Sequence, residues 1–211
     1  MSGASTFHAD RLSLRGDSRR LARRAFTLIE TMTAMAVLAI AGSSLLMGMA
    51  STTDGSRQAV ERAIALGMAQ QLLDEICGMK YCEAPGGEYD TGLGPGSPET
   101  SAGARRQFDD IDDYKGVSTS VPTDRWGIAL GADNGRQGTR FANFQAPADF
   151  FTGWRQTVDV FYVSDSNQST KLTSGTSSHR KIEVRITAAQ PDGGVRELAY
   201  VSRVVAYVPG L

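Results

Sequence analysis

Thr31–Thr53 runs without a single charged side chain, and Glu30 and Asp54 bound it on either side. Wound as an α-helix at about 1.5 Å per residue, this stretch reaches roughly 35 Å, enough to cross the hydrocarbon core of a bilayer. Ahead of it stand Arg11, Arg15, Arg19, Arg20, Arg23 and Arg24 against only Asp10 and Asp17. Basic residues beside a span stay in the cytoplasm, so the chain beyond Thr53 is expected to be exported. The span is rich in Ala, Gly and Ser, among them Ala34, Ala39, Gly42, Ser43, Ser44 and Gly48. Small residues let helices approach closely in lipid, although a plain single-pass anchor tolerates them equally.

At 211 residues the chain has room for one folded domain behind such a segment. The expected division is a cytoplasmic leader over 1–25, a membrane half-helix over 26–50 and an exported domain over 51–211. A net charge of -1 gives no electrostatic case for nucleic acid as a partner. Membrane lipid is the partner that the apolar span requires.

From Ser56 to Ile76 the pattern stays helical and becomes amphipathic. Val60, Ala63 and Ile64 form one stripe, and Ala69, Leu72, Leu73 and Ile76 form another on nearly the opposite side, with the change near Gly67. The second stripe is expected to cover the core of the folded domain. The first either meets neighbouring helices or reflects a local bend at Gly67. Glu83–Ser101 is rich in Pro and Gly and reads as a loop.

Short strand-like runs follow at Val117–Val121, Trp126–Leu130, Trp154–Val163, Lys181–Ala189 and Val195–Val208. In the fourth, Ile182, Val184, Ile186 and Ala188 alternate with Lys181, Glu183, Arg185 and Thr187, which predicts a sheet with one buried face. Pro191-Asp192-Gly193-Gly194 supplies a turn into the last run. A helix followed by strands, without βαβ alternation, makes the fold class α+β: a long N-terminal helix packed on an antiparallel sheet.

The chemistry-bearing residues are few. Cys77 and Cys82 are the only cysteines, and no further Cys or suitably spaced His completes a zinc set. In an oxidising compartment the pair forms a small disulfide loop, and in a reducing one it stays as two thiols. His8 and His179 are the only histidines, His8 lies in the leader, and no local signature joins His179 to a Cys nucleophile. No catalytic residue and no cofactor is therefore expected. Asn167-Gln168-Ser169 fits a glycosylation acceptor triplet, a pattern that also arises by chance. Glu30 is the outlier, because a carboxylate at the edge of an apolar span costs several kcal/mol unless it is paired or hydrated.

The junction Arg23-Arg24-Ala25-Phe26-Thr27-Leu28-Ile29-Glu30 resembles the prepilin leader motif of type IV pilin-like proteins: a basic leader, a small residue, Phe, an apolar stretch and a Glu five residues into the mature chain. The resemblance covers this junction, the apolar helix and the plan of a helix followed by a sheet. It implies cleavage between Ala25 and Phe26 by prepilin peptidase, N-methylation of Phe26 by the same enzyme, and pairing of Glu30 with the Phe26 amine of a neighbouring subunit. Ala25 stands where the family usually has Gly. A conventional secretory signal would instead be cut after the apolar run, where Met47–Ser51 offers small residues.

Arg106–Gly116, with Phe108-Asp109-Asp110-Ile111-Asp112-Asp113-Tyr114 at its centre, is similar to a stretch of MshD-like minor pilins of mannose-sensitive haemagglutinin pili. Ala69–Ile76 resembles the same group and related minor pseudopilins. Asp109, Asp110, Asp112 and Asp113 are oxygen donors that could serve Ca²⁺, but their spacing is not that of an EF-hand, and a solvated turn capping backbone amides uses the same residues.

The resemblance thus implies a structural minor pilin or pseudopilin with three kinds of protein partner: other pilin or pseudopilin subunits, prepilin peptidase and an inner-membrane assembly platform. Its place would be the bacterial inner membrane first, then a periplasmic or cell-surface filament. A minor pseudopilin of type II secretion and a membrane-anchored binding module that never polymerises are the competing readings.

Overall fold

The computed structural model describes residues 27–84, 86–97, 99, 105–132, 141, 143, 145–147 and 149–208. Among these residues one helix, α1 (Leu28–Cys77), precedes four strands: β1 (Ser118–Ser120), β2 (Trp154–Tyr162), β3 (His179–Ala189) and β4 (Val195–Ala206). Single 3-10 turns form at Gly87–Tyr89 and Asp112–Tyr114. The chain divides into two units, Met1–Thr52 and Thr53–Leu211.

In the first unit Thr27 caps the helix. Its hydroxyl accepts a hydrogen bond from the amide of Glu30 at 3.3 Å, and its carbonyl accepts from the amides of Glu30 and Thr31. Thr-x-x-Glu is the capping-box sequence, and the Glu30 carboxylate sits in the first turn where the helix dipole favours an anion. Beyond it Leu28, Ile29, Met32, Met35, Val37, Leu38, Ile40, Leu45, Leu46 and Met47 are all exposed. The stretch is long and apolar enough to cross a membrane. Its hydroxyls turn back onto the helix: Thr31 donates to the carbonyl of Leu28, Thr33 to Glu30, Ser43 and Ser44 to Ile40, and Thr52 to Gly48. Bonded in this way, they add little polarity to the apolar surface.

In the second unit α1 buries one face only. Ala65, Met68, Ala69, Leu72, Leu73 and Ile76 are buried at helical spacing, whereas Val60 of the other stripe remains 56% exposed. The helix ends as the amide of Gly78 bonds to the carbonyl of Asp74 and that of Met79 to Ile76. The buried face meets Val158, Val160, Ile182, Val184, Ile186, Leu198 and Ala199 of the sheet, and Phe108, Ile111, Tyr114 and Trp154 close the core.

The sheet is an antiparallel meander in the order β1-β2-β3-β4. Its register aligns Val158, Val184 and Val201 across three strands. The expected alternation holds in β3, where Arg180, Ile182, Val184, Ile186 and Ala188 all point inward. The β3–β4 turn is built as anticipated: Gly193 adopts φ 84°, and the amide of Gly194 bonds to the Asp192 carboxylate.

One expected strand is absent. Trp126–Leu130 forms part of a tight turn with a single bridge, Thr123 to Ala129. The Asp124 carboxylate accepts from the amides of Trp126 and Ile128, and Gly127 takes φ 81°. Local Asx-turn chemistry here outweighs the β-propensity of the apolar residues. The first strand is also shorter than Val117–Val121 because Val121 turns to φ 67°.

Two buried arginines tie the loops to this frame. Arg180 is 0% exposed; it pairs with Asp112 at 2.7 Å, donates to the carbonyl of Tyr81 and to the hydroxyl of Tyr162, and lies against both tyrosine rings. Arg105 grips Glu75 of α1 with two nitrogens and donates to the carbonyl of Thr123, while the Tyr114 hydroxyl donates to the same carboxylate. Burial pushes the Tyr114 hydroxyl pKa up, foremost, and the Glu75 charge adds to it.

Removing one member of a buried pair leaves its partner uncompensated. Arg180→Met is expected to lower unfolding free energy by about 3–5 kcal/mol, and adding Asp112→Asn to recover part of that loss. Urea titration followed by Trp fluorescence measures both; a loss below about 1 kcal/mol for the single variant would remove Arg180 from its holding role.

Candidate functional site

Two regions carry the residues expected to matter: the N-terminal junction and the segment around the acidic run. Ala25 and Phe26 lie outside the described residues. Glu30 is exposed in the first turn of α1, one turn past Thr27, so any neighbour that reaches this end of the helix finds its carboxylate accessible.

Cys77 is the last residue of α1 and Cys82 lies in the bend that follows; both are free thiols, and that of Cys82 bonds to the carbonyl of Ala84 at 3.4 Å. The disulfide loop expected in an oxidising compartment is not formed in this structure. Among the described residues the side-chain partners of His179 are not thiols: its Nδ1 lies 2.7 Å from the Asp165 carboxylate and 3.0 Å from the Ser178 hydroxyl. The Asp165 carboxyl is held below its ordinary range, chiefly by the hydrogen bond to His179.

The acidic run is a self-capped turn stitched to the end of α1. Lys80 bridges to Asp110 in parallel, its amide donating to the carbonyl of Asp109 and its carbonyl accepting from the amide of Ile111. The Asp110 carboxylate accepts from the amides of Asp112 and Asp113, and the Asp113 carboxylate accepts from those of Asp109 and Asp110. Asp109 pairs with Lys80 at 2.7 Å, and Asp112 with Arg180. Each of the four aspartates thus has a partner within the chain.

Sequence reading missed the function of the residues between them. Phe108, Ile111 and Tyr114 recur every third position and are all buried, with the Phe108 and Tyr114 rings edge to face at 5.0 Å. That spacing was a visible signal that the run plugs the core.

For a metal, the arrangement brings together a different set from the one anticipated. Carboxylate oxygens of Glu99, Asp109 and Asp113 all lie within 4.8 Å of one another, whereas Asp110 and Asp112 are committed elsewhere. Among these three, the Asp113 carboxylate already accepts two backbone amides. Burial foremost raises the Glu99 carboxyl, and the Asp113 charge adds to it.

Asp110 is pushed up to about 7 by burial first and by the charges of Asp112 and Asp113 next. An unfolded Asp titrates near about 3.9, so between these values the folded chain holds the extra proton. Its contribution to stability is complete at the acid end and lost as pH rises through about 7. Melting temperature is therefore expected to fall between about pH 4 and pH 7 and to level off above that, and Asp110→Asn, which keeps the accepting oxygen, to flatten that slope. Parallel profiles for the two proteins in a thermal melt series would exclude Asp110 as the source.

Residues 20–46 match the family model described as the prokaryotic N-terminal methylation motif. No curated protein and no solved structure shows significant similarity to the chain. The matched segment contains the Arg23–Glu30 junction and most of the exposed apolar helix, and it stops well short of the acidic run. The match therefore joins a prokaryotic N-terminal methylation motif to a helix long and apolar enough to cross a membrane.

Proposed function

We propose that the chain is a structural, non-enzymatic filament subunit, a minor pilin or minor pseudopilin. It is cut between Ala25 and Phe26 by prepilin peptidase, N-methylated at Phe26, and held in the inner membrane with residues 51–211 exported before assembly. The observation that carries this reading is the methylation motif at residues 20–46 running without interruption into a lipid-compatible helix. Other subunits and an inner-membrane platform are then its working partners. The resemblance of Arg106–Gly116 to MshD-like minor pilins favours a pilus over type II secretion within that class, whereas Ala69–Ile76 is shared with minor pseudopilins and does not discriminate.

Glu30 has two roles to separate. As a cap neighbour it steadies the first turn by about 0.3–1 kcal/mol. As an assembly residue it neutralises the Phe26 ammonium of the next subunit, where loss of one partner in a low-dielectric setting costs about 3–5 kcal/mol. Glu30→Gln keeps a polar cap and removes the charge. It is expected to insert normally, because a charge is expensive in lipid, and to incorporate poorly into filaments.

Crosslinking to the other pilins, measured beside membrane abundance, tests this. Undiminished crosslinking would remove the assembly role, and loss of the protein from the membrane would point to anchoring. N-terminal mass spectrometry of the protein from its native membrane tests the wider reading: a chain beginning at methyl-Phe26 is expected, and retention of residues 1–25 would favour an anchored module that never polymerises.

A further inference from the structure

Away from the N-terminal span and the acidic turn, one surface pocket of about 350 Å³ gathers polar groups that the fold itself leaves unused. Three pieces of chain meet there. Thr91 comes from the loop after the Gly87–Tyr89 turn, Lys115 from the exit of the Asp112–Tyr114 turn, and Phe161, Lys171, Thr173 and Ser174 from the end of β2 and the loop beyond it. Among the described residues, the Lys115 ammonium and the hydroxyls of Thr91, Thr173 and Ser174 have no partner.

The walls are fixed by backbone bonds and not by the groups that face the pocket. The amide of Leu172 bonds to the carbonyl of Tyr162, Val163 bridges to Lys171, and Gly175 turns the loop at φ 80°. On the other side the amide of Lys115 bonds to the carbonyl of Asp112, and that of Gly116 to Val158. The backbone that carries these four exposed groups is therefore fixed without their taking part in fixing it.

Charge narrows the ligand. Lys171 lies 3.0 Å from the Asp159 carboxylate and 4.0 Å from the centre of the Phe161 ring, so its charge is largely answered. Lys115 supplies one uncompensated positive charge, which suits a monoanion better than a doubly charged phosphate. Hydroxyls both donate and accept, so three of them around one cation fit a ligand that is itself rich in hydroxyls. The pocket volume falls within the roughly 300–1,000 Å³ of small-molecule sites.

From these observations we propose that the pocket binds a carboxylated sugar unit, a uronic acid, with the carboxylate on Lys115 and ring hydroxyls on Thr91, Thr173 and Ser174. This goes beyond the subunit reading and is independent of it, since binding is measured on protein that has not been assembled. The experiment is equilibrium titration of the detergent-solubilised full chain with glucuronate, glucose and inorganic phosphate.

Saturable binding of glucuronate is expected, with glucose and phosphate each weaker. Lys115→Gln should weaken glucuronate by about tenfold or more, the scale of one charge-assisted hydrogen bond. Asp159→Asn, which releases the charge of Lys171, should strengthen it. Lys115 is exposed and makes no side-chain contact that the fold needs, and an unchanged thermal melt verifies that the Gln variant is folded. Absence of saturable glucuronate binding overturns the proposal. So does equal binding of phosphate, equal binding of glucose, or indifference to Lys115→Gln in the folded variant.

Discussion

A single helix must satisfy two different surroundings, and the change between them organises the molecule. Up to about Thr53 its surface is predominantly apolar on every side; charged residues such as Arg57 and Glu61 then appear, and from Ala65 onward one stripe is buried while polar and charged residues such as Gln70 and Asp74 occupy the rest. An all-round apolar helix has no preferred face, so nothing in the first unit dictates a packing partner within the chain. The one-sided stretch does the opposite. Ala65, Ala69, Leu72 and Ile76 define a line against which the sheet must lay its inward residues, and this sets the register that aligns Val158, Val184 and Val201.

Once helix and sheet are paired, the long connections have to be held without strands or helices of their own. Charged side chains in the interior do this. Arg180 joins the segment after the helix, the acidic turn and β2 through Tyr81, Asp112 and Tyr162, and Arg105 joins α1 to the turn at Thr123. Buried ion pairs contribute little net stability compared with apolar packing, but they discriminate sharply against displaced arrangements, because a shifted loop strands a charge. The connections here are positioned by that penalty.

How much of this could be read from the residues depended on whether the deciding force was local or periodic. The helix and β2 to β4 were legible because burial imposes periods of about 3.6 and 2 on the sequence. Trp126–Leu130 was misread as a strand because its shape is decided by one carboxylate and one glycine, Asp124 and Gly127, and not by its apolar residues. The acidic run was read for its charges, while its buried residues, Phe108, Ile111 and Tyr114, were passed over. Arg180 shares the inward parity of Ile182 and Val184, so its burial was visible in principle; its partners, distant in sequence, were not. The N-terminal motif was legible because its chemistry lies in a short contiguous run, which is also why it says nothing of the pocket formed by Lys115 and Ser174.

The hydroxyls of Thr31, Thr33, Ser43, Ser44 and Thr52 each close onto a carbonyl of their own helix. These five present no hydroxyl proton that requires an outside acceptor. If such a helix exchanged acyl chains for other helices, those five hydroxyls would neither break nor form a hydrogen bond, and the balance would be left to close packing against Gly42, Gly48 and the alanines. The segment can change solvent with its polar chemistry already complete.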